Sequence, residues 1–314
     1  MAGAALAAFS GALVAERAAA HGFAPIPPES AWRFWTLDPL VLVPLLSSHW
    51  LYGRGLAAWR RRLGRWPAGL PGWRVACFLS GELVLVAALV SPIDAVSETI
   101  LTAHMVQHVL LIALAPPLLV LGRPEWAWAA GLPVSWRGPL VASQMARLVR
   151  AALSRLARPL PATLLHGAAI WLWHAPVAFE VGRASVWLHA FEHATFFSTA
   201  LLFWRALADA AANRSAAPAG MAAALATLVH GGFLSALIGL ARVPLYPDST
   251  RWAPIWGMTP LEDQQLAGAI MWVPAGAAYL FAGLVIAARL VSDDRVTTEP
   301  AGRGALPMPR QAAR

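Results

Sequence analysis

The chain has 314 residues, 58% of them hydrophobic and 13% charged, with a mean hydropathy of +0.57 and a formal net charge of +8. Soluble domains carry about 45–50% apolar and about 25% charged residues, so the polar surface here cannot cover a water-soluble globule of this length. All 24 basic residues are arginine, which excludes a retinal or pyridoxal phosphate Schiff base and a phosphate-binding Walker lysine; the single Cys77 excludes an intramolecular disulfide, a CxxC copper motif and a cysteine-ligated iron–sulfur cluster.

Residues 1–20 are Ala-rich, and their apolar run over 4–15 is too short to span a bilayer comfortably. Ala18, Ala19 and Ala20 are the small residues a signal-peptidase site needs, yet no arginine precedes the run. A cleaved signal peptide and an uncleaved interfacial segment therefore both stay open. Seven later stretches approach the ~20 residues that cross ~30 Å of hydrocarbon as a helix. They cover 39–59, 73–90, 99–121, 160–179, 186–207, 221–240 and 266–290. None alternates with period two, so each is read as helix, and 35–290 is expected to be an all-α, polytopic membrane helix bundle of about seven transmembrane helices.

Arginine placement sets the expected orientation. Arg60, Arg61, Arg62, Arg65 and Arg74 lie between the first and second stretches, and Arg123, Arg137, Arg147, Arg150, Arg155 and Arg158 between the third and fourth. Arg205 and Arg214 lie between the fifth and sixth, and Arg289, Arg295, Arg303, Arg310 and Arg314 at or beyond the end of the seventh. The alternate loops hold only Arg183, Arg242 and Arg251, so the N-terminus is expected outside and the C-terminus in the cytoplasm. This asymmetry accounts for the net charge without a nucleic-acid partner. Over 143–158, arginines interleave with Leu148, Leu153 and Leu156, the pattern of a basic helix lying on membrane lipids. Residues 291–314 are polar and dotted with Pro and Gly, and read as a disordered cytoplasmic tail.

The third stretch contains His104-Met105-Val106-Gln107-His108, and the fifth His189-Ala190-Phe191-Glu192-His193. Residues four apart stack on one helix face about 6 Å apart, so each pair can grip one ion. His174 sits in the fourth stretch, and Glu262 and Asp263 open the seventh. Counted inward at the helical rise, His104, His174 and His193 lie ~9 Å deep, His108 ~15 Å and His189 ~3 Å. Five imidazoles and two rim carboxylates thus share the outer third of the membrane as metal-ligand candidates. Glu192 reads equally as an acceptor orienting an imidazole or as a rim carboxylate. Single imidazoles that bond a neighbouring helix are common, and His49, His166 and His230 are read that way. Imidazole with thioether suits copper, and imidazole with carboxylate suits zinc or iron. Met105, Met258 and Met271 lie at suitable depths to supply sulfur, although methionine is more often filling.

The His104-to-His108 segment, followed by Ala115-Pro116-Pro117 and Leu121-Gly122-Arg123-Pro124, resembles the CtaG family of seven-helix bacterial cytochrome c oxidase assembly proteins. So do Trp35-Thr36-Leu37-Asp38-Pro39, Trp173-His174-Ala175-Pro176, the His189-to-His193 segment, Pro260-Leu261-Glu262-Asp263-Gln264-Gln265 and Met271-Trp272-Val273-Pro274. The resemblance implies a non-enzymatic inner-membrane factor that matures a haem–copper oxidase. Its expected partners are oxidase subunits and a periplasmic copper donor, and its expected cargo is copper handled on the outer side. Zinc bound by an intramembrane hydrolase, with Glu262 or Asp263 as base, and haem held by facing histidines remain the alternatives.

Overall fold

The computed structural model describes residues 25–63 and 70–297. Segment 1–20 and the tail residues 298–314 lie outside them. Among the described residues there is no strand. After a 3-10 turn at Ala31–Arg33 come α1 (Pro39–Leu63), α2 (Gly72–Leu89), α3 (Pro92–Ser97) and α4 (Leu101–Val109). A π turn, Leu110–Leu114, joins α4 to α5 (Ala115–Gly122). Then follow α6 (Pro124–Gly131), α7 (Val134–Ala142), α8 (Gln144–Leu156), α9 (Pro159–His174), α10 (Pro176–Arg183), α11 (Val186–Ala211), α12 (Ala217–Gly239), α13 (Pro247–Thr250) and α14 (Pro260–Thr297).

Among the described residues, four rods are long and apolar enough to cross a bilayer: Gly72–Leu89, Leu101–Gly122, Ala217–Gly239 and Pro260–Ser292. The other expected stretches are helical as well, but α1 and α11 carry more polar residues and the stretch over 160–179 is interrupted. That break falls at Ala175, because a residue before proline is pushed to extended backbone and Pro176 then starts a new helix. His174 becomes the last residue of α9. α14 continues through 291–297, into the stretch expected to be tail.

The distribution of polarity is inverted relative to a soluble protein. Leu40, Val43, Leu46, Trp50, Leu164, Leu225, Phe233, Trp272, Phe281 and Leu284 are exposed, while His104, Gln107, His108, His166, His174, Glu192 and Gln264 are buried. Lipid on the outside and hydrogen-bonding groups turned inward account for that pattern. The rod Leu101–Gly122 serves two cores. Leu101, Met105 and Ile112 pack with α9, α11, α12 and α14, whereas Leu111, Ala115 and Leu119 pack with α1, α2 and α6. Pro116 lacks the amide that would bond the carbonyl of Ile112, and Trp204 Nε1 of α11 donates to that carbonyl instead at 2.8 Å. The π turn and the double proline are thereby tolerated in a buried rod. α8 contributes no buried residue; Met145, Leu148, Val149, Leu153 and Leu156 share one exposed apolar side, opposite Arg147 and Arg150.

Close backbone approach fixes the pairing of α12 with α14. A Cβ added at Gly268 would stand 2.7 Å from Cα and N of Gly239 and 3.0 Å from the carbonyl of Ser235. Backbone cannot yield as a side-chain tip can, so Gly268→Ala must push the helices apart. Alanine gains roughly 1 kcal/mol of helix propensity over glycine, and overpacking costs typically about 1–3 kcal/mol and occasionally more. The backbone origin of this clash puts it at the upper end. A lowered thermal midpoint in detergent is expected, and an unchanged one would mean the helix pair is not held at this crossing.

Candidate metal centre

The N-terminal ends of α4, α11 and α14 and the C-terminal end of α9 meet at one end of the bundle. The 260–265 stretch does much of the joining. Thr259 and Glu262 form a reciprocal cap at the start of α14: Thr259 N donates to Glu262 Oε2 at 2.7 Å, and Glu262 N to Thr259 Oγ1 at 3.2 Å. Asp263 instead reaches across to α4, its two oxygens accepting from Leu101 N and Thr102 N at 2.8 Å each. Gln264 accepts from Leu245 N at 2.5 Å and donates to Ile238 O at 3.1 Å, holding the end of α12. Gln107 donates to Ala88 O and to Asp94 Oδ1, tying the same face of α4 to α2 and α3.

On this frame the five candidate histidines converge. Ring centroids of His104 and His108 stand 4.2 Å apart, and so do those of His189 and His193. Between helices, His104 lies 5.3 Å from His189 and 6.3 Å from His193, and His108 lies 5.7 Å from His193 and 5.6 Å from His174. Glu192 points into the same nest and is fully buried; His108 Nε2 stands 3.5 Å from its Oε1. Donor atoms of His104, His189 and Glu192 all lie within 4.8 Å of one another. Ligands about 2.0–2.2 Å from a shared ion are at most about 4.4 Å apart, so a small side-chain adjustment closes the group on an ion.

Hydrogen bonds assign the ring protons. His174 donates from Nδ1 to Ile170 O at 2.7 Å, leaving its Nε2 lone pair open. His189 Nδ1 stands 3.2 Å from Glu98 Oε1, which keeps that proton on Nδ1 and opens Nε2 in the same way. His104 is held in the opposite sense. Arg183 donates to its Nδ1 at 3.2 Å, and arginine has no lone pair to accept with, so the proton of a neutral His104 sits on Nε2. Arg183 also donates to Ser97 O and Glu98 O at 2.7 and 2.8 Å, the carbonyls ending α3. In the loop between α12 and α13, Tyr246 donates to His174 O at 2.7 Å, and burial followed by the charge of Glu180 raises its phenol above the usual value, so it remains a donor.

The buried Nε2 atoms of His104, His174 and His189, both nitrogens of His108 and both oxygens of Glu192 have no hydrogen-bond partner among the described residues. An unmatched polar group in an apolar interior costs roughly 2–7 kcal/mol, and an uncompensated carboxylate far more. Several such atoms around one point fit a bound cation, which satisfies the open lone pairs of His174 and His189 and the carboxylate together.

Glu262 and Asp263 do not join this nest: Glu262 Oε2 and both oxygens of Asp263 accept from backbone amides. His49 pairs with Glu82 at 2.8 Å on α2, and His166 bonds Thr199 and Tyr279 at 3.3 and 3.1 Å. His230 accepts from Trp171 at 3.3 Å. Met105 is packed in the core, and Met271 lines a cleft beside His108 and His174.

Residues 50–293 match the family described as cytochrome c oxidase caa3 assembly factor. The chain belongs to that family. An uncharacterised protein of Mycobacterium bovis and another of Mycobacterium tuberculosis are each 28% identical to it over 261 residues. The match covers 79% of this chain and 38% of each relative, so the chain spans well under half the length of those proteins. No solved structure matches the chain. In this member of the family, Glu98 and Arg183 are the parts of the centre that the sequence did not mark. Arg183 ends α10 and Glu98 follows α3, each far in sequence from the histidine it touches, and the local signal was only an acidic and a basic residue between apolar stretches.

Proposed function

We propose that this assembly factor is a non-catalytic copper carrier that takes up the ion at the periplasmic side of the inner membrane and passes it to a haem–copper oxidase. The observation that carries the reading is the nest of unpartnered imidazole nitrogens around Glu192. Family membership supports the oxidase as recipient. In this reading the chain crosses the membrane seven times, with the N-terminus outside and the C-terminus in the cytoplasm, as the arginine asymmetry favours. A periplasmic donor would supply the ion.

His104, His108, His189, His193 and His174 bind the cargo, with Glu192 supplying the negative charge. His174 and His189 are pre-set to ligate through Nε2. His104 must release Arg183 or turn before it can use Nε2, so one ligand is exchangeable, as handover requires. Glu98 and Arg183 cover the nest from the outer end and orient its rings.

Detergent-purified protein is expected to retain about one copper per chain, and His104→Ala/His108→Ala to lose it while cells assemble less active oxidase. Elemental analysis and oxidase spectra of membranes read both. Copper-free wild-type protein together with normal oxidase in the double variant would overturn the reading, and a Soret band in the pure protein would replace it with haem carriage.

A further inference from the structure

The bundle holds a cleft between α4, α9, α12 and α14 that reaches the inner side of the histidine nest. His108, Ile170, His174, Thr227, Gly231 and Met271 are among its walls, and Trp272 stands at its exposed rim. Its volume is about 40 Å³. One water needs at least about 10–15 Å³ and a drug-sized ligand about 300–1,000 Å³, so the cleft suits an ion with a water or two and not a haem. Three of its buried walls carry polar atoms with no partner: both nitrogens of His108, Nε2 of His174 and Oγ1 of Thr227.

We propose that His108, His174 and Met271 form a second site in this cleft, selective for a soft monovalent ion of the copper(I) or silver(I) type. This deepens the copper-carrier reading and rests on it. The two sites share His108 and His174, and the donors they do not share set them apart. His104, His189 and Glu192 combine imidazole with carboxylate, which favours harder divalent ions; the cleft combines imidazole with thioether, which favours soft monovalent ones. His174 is locked with its lone pair on Nε2 by the bond to Ile170 O, so one ligand needs no rearrangement. His108 touches both groups, 4.2 Å from His104 and 5.6 Å from His174 by ring centroid. An ion can therefore pass between the sites by exchanging partners around one shared ring. The cleft is also open where it must be. A Cβ built on Gly231 meets nothing within 4 Å.

The test is a titration of the full chain in detergent with silver(I), which stands in for copper(I) without redox chemistry, and in parallel with cobalt(II), whose absorption reports imidazole–carboxylate ligation. Met271→Leu conserves volume, and Gly231→Val fills the cleft without removing a ligand. Each is expected to weaken silver binding at least tenfold and leave the cobalt spectrum unchanged, while Glu192→Gln does the reverse. Wild-type silver affinity in folded Met271→Leu overturns the second site, even where Gly231→Val fails to fold. Wild-type protein that binds cobalt but no silver overturns it and leaves the first site standing. Protein that binds neither ion overturns both.

Discussion

Glu192→Gln is expected to stabilise the metal-free protein and to remove most of its affinity for copper(II). The carboxylate is fully buried, neither oxygen has a hydrogen-bond partner, and the nearest cationic candidate, His108 Nε2, is 3.5 Å away. Keeping such a group in an apolar interior is unfavourable unless a cation joins it. The amide of glutamine has nearly the same shape and no charge, so the unliganded state loses a penalty and keeps its packing. With copper the balance reverses. The variant has lost the only carboxylate in the group formed with His104 and His189, and its amide nitrogen cannot ligate while it keeps its protons. A drop in affinity of about 100-fold corresponds to about 2.7 kcal/mol. A ligand that binds only the folded state raises stability by RT ln(1 + L/Kd) at free concentration L, so thermal unfolding with and without copper reads both effects. The metal-free midpoint should rise and the copper-induced shift should nearly vanish. A variant that keeps the wild-type shift would mean Glu192 does not face the ion. A fall in the metal-free midpoint would mean the carboxylate is better satisfied than its geometry indicates.

What could be read from the sequence was what local periodicity encodes. Continuous apolar runs located the helices, and the four-residue spacing of His104 with His108 and of His189 with His193 put each pair on one face. Summing the helical rise then placed His174 at a similar depth from a different helix. The family resemblance, carried by short motifs, proved correct. What could not be read depends on contacts between residues far apart in the chain. The Ala175–Pro176 break was written in the sequence, but a proline inside an apolar run also occurs in kinked, continuous helices, as Pro274 in α14 shows. Glu262 and Asp263 stand side by side in the first turn of α14, and both were expected at the ion. Thr259 three residues before Glu262 is the signature of a reciprocal helix cap and was available as a local clue. Nothing local told that Asp263 reaches another helix, or that Arg183 ends on His104.

Asp263→Ala should cost more stability than any other single change in the 260–265 stretch. Its carboxylate is completely buried and accepts from two amides at the start of α4, at a separation of 162 residues along the chain from Leu101. Thr102 Oγ1 returns a bond to the carbonyl of Asp263 at 3.1 Å. The carboxylate therefore fills the role of an N-cap supplied by a different helix, and it places negative charge at the positive end of α4. Alanine leaves one buried and one partly buried amide without acceptors; a buried one costs about 1–3 kcal/mol, so a loss of roughly 2–5 kcal/mol follows. His104 lies within one turn of that cap, so the copper site is expected to loosen with the helix end. Asp263→Asn separates this structural role from direct ligation. It keeps one oxygen for one amide and removes the charge, and it should lose roughly half as much stability while binding copper with wild-type stoichiometry. If Asp263 were itself a ligand, the asparagine variant would lose the ion at nearly unchanged stability. Glu262→Gln supplies the contrast on the neighbouring residue: its capping contact is with Thr259 at an exposed helix end, and the change should shift the midpoint by less than about 1 kcal/mol and leave copper content alone.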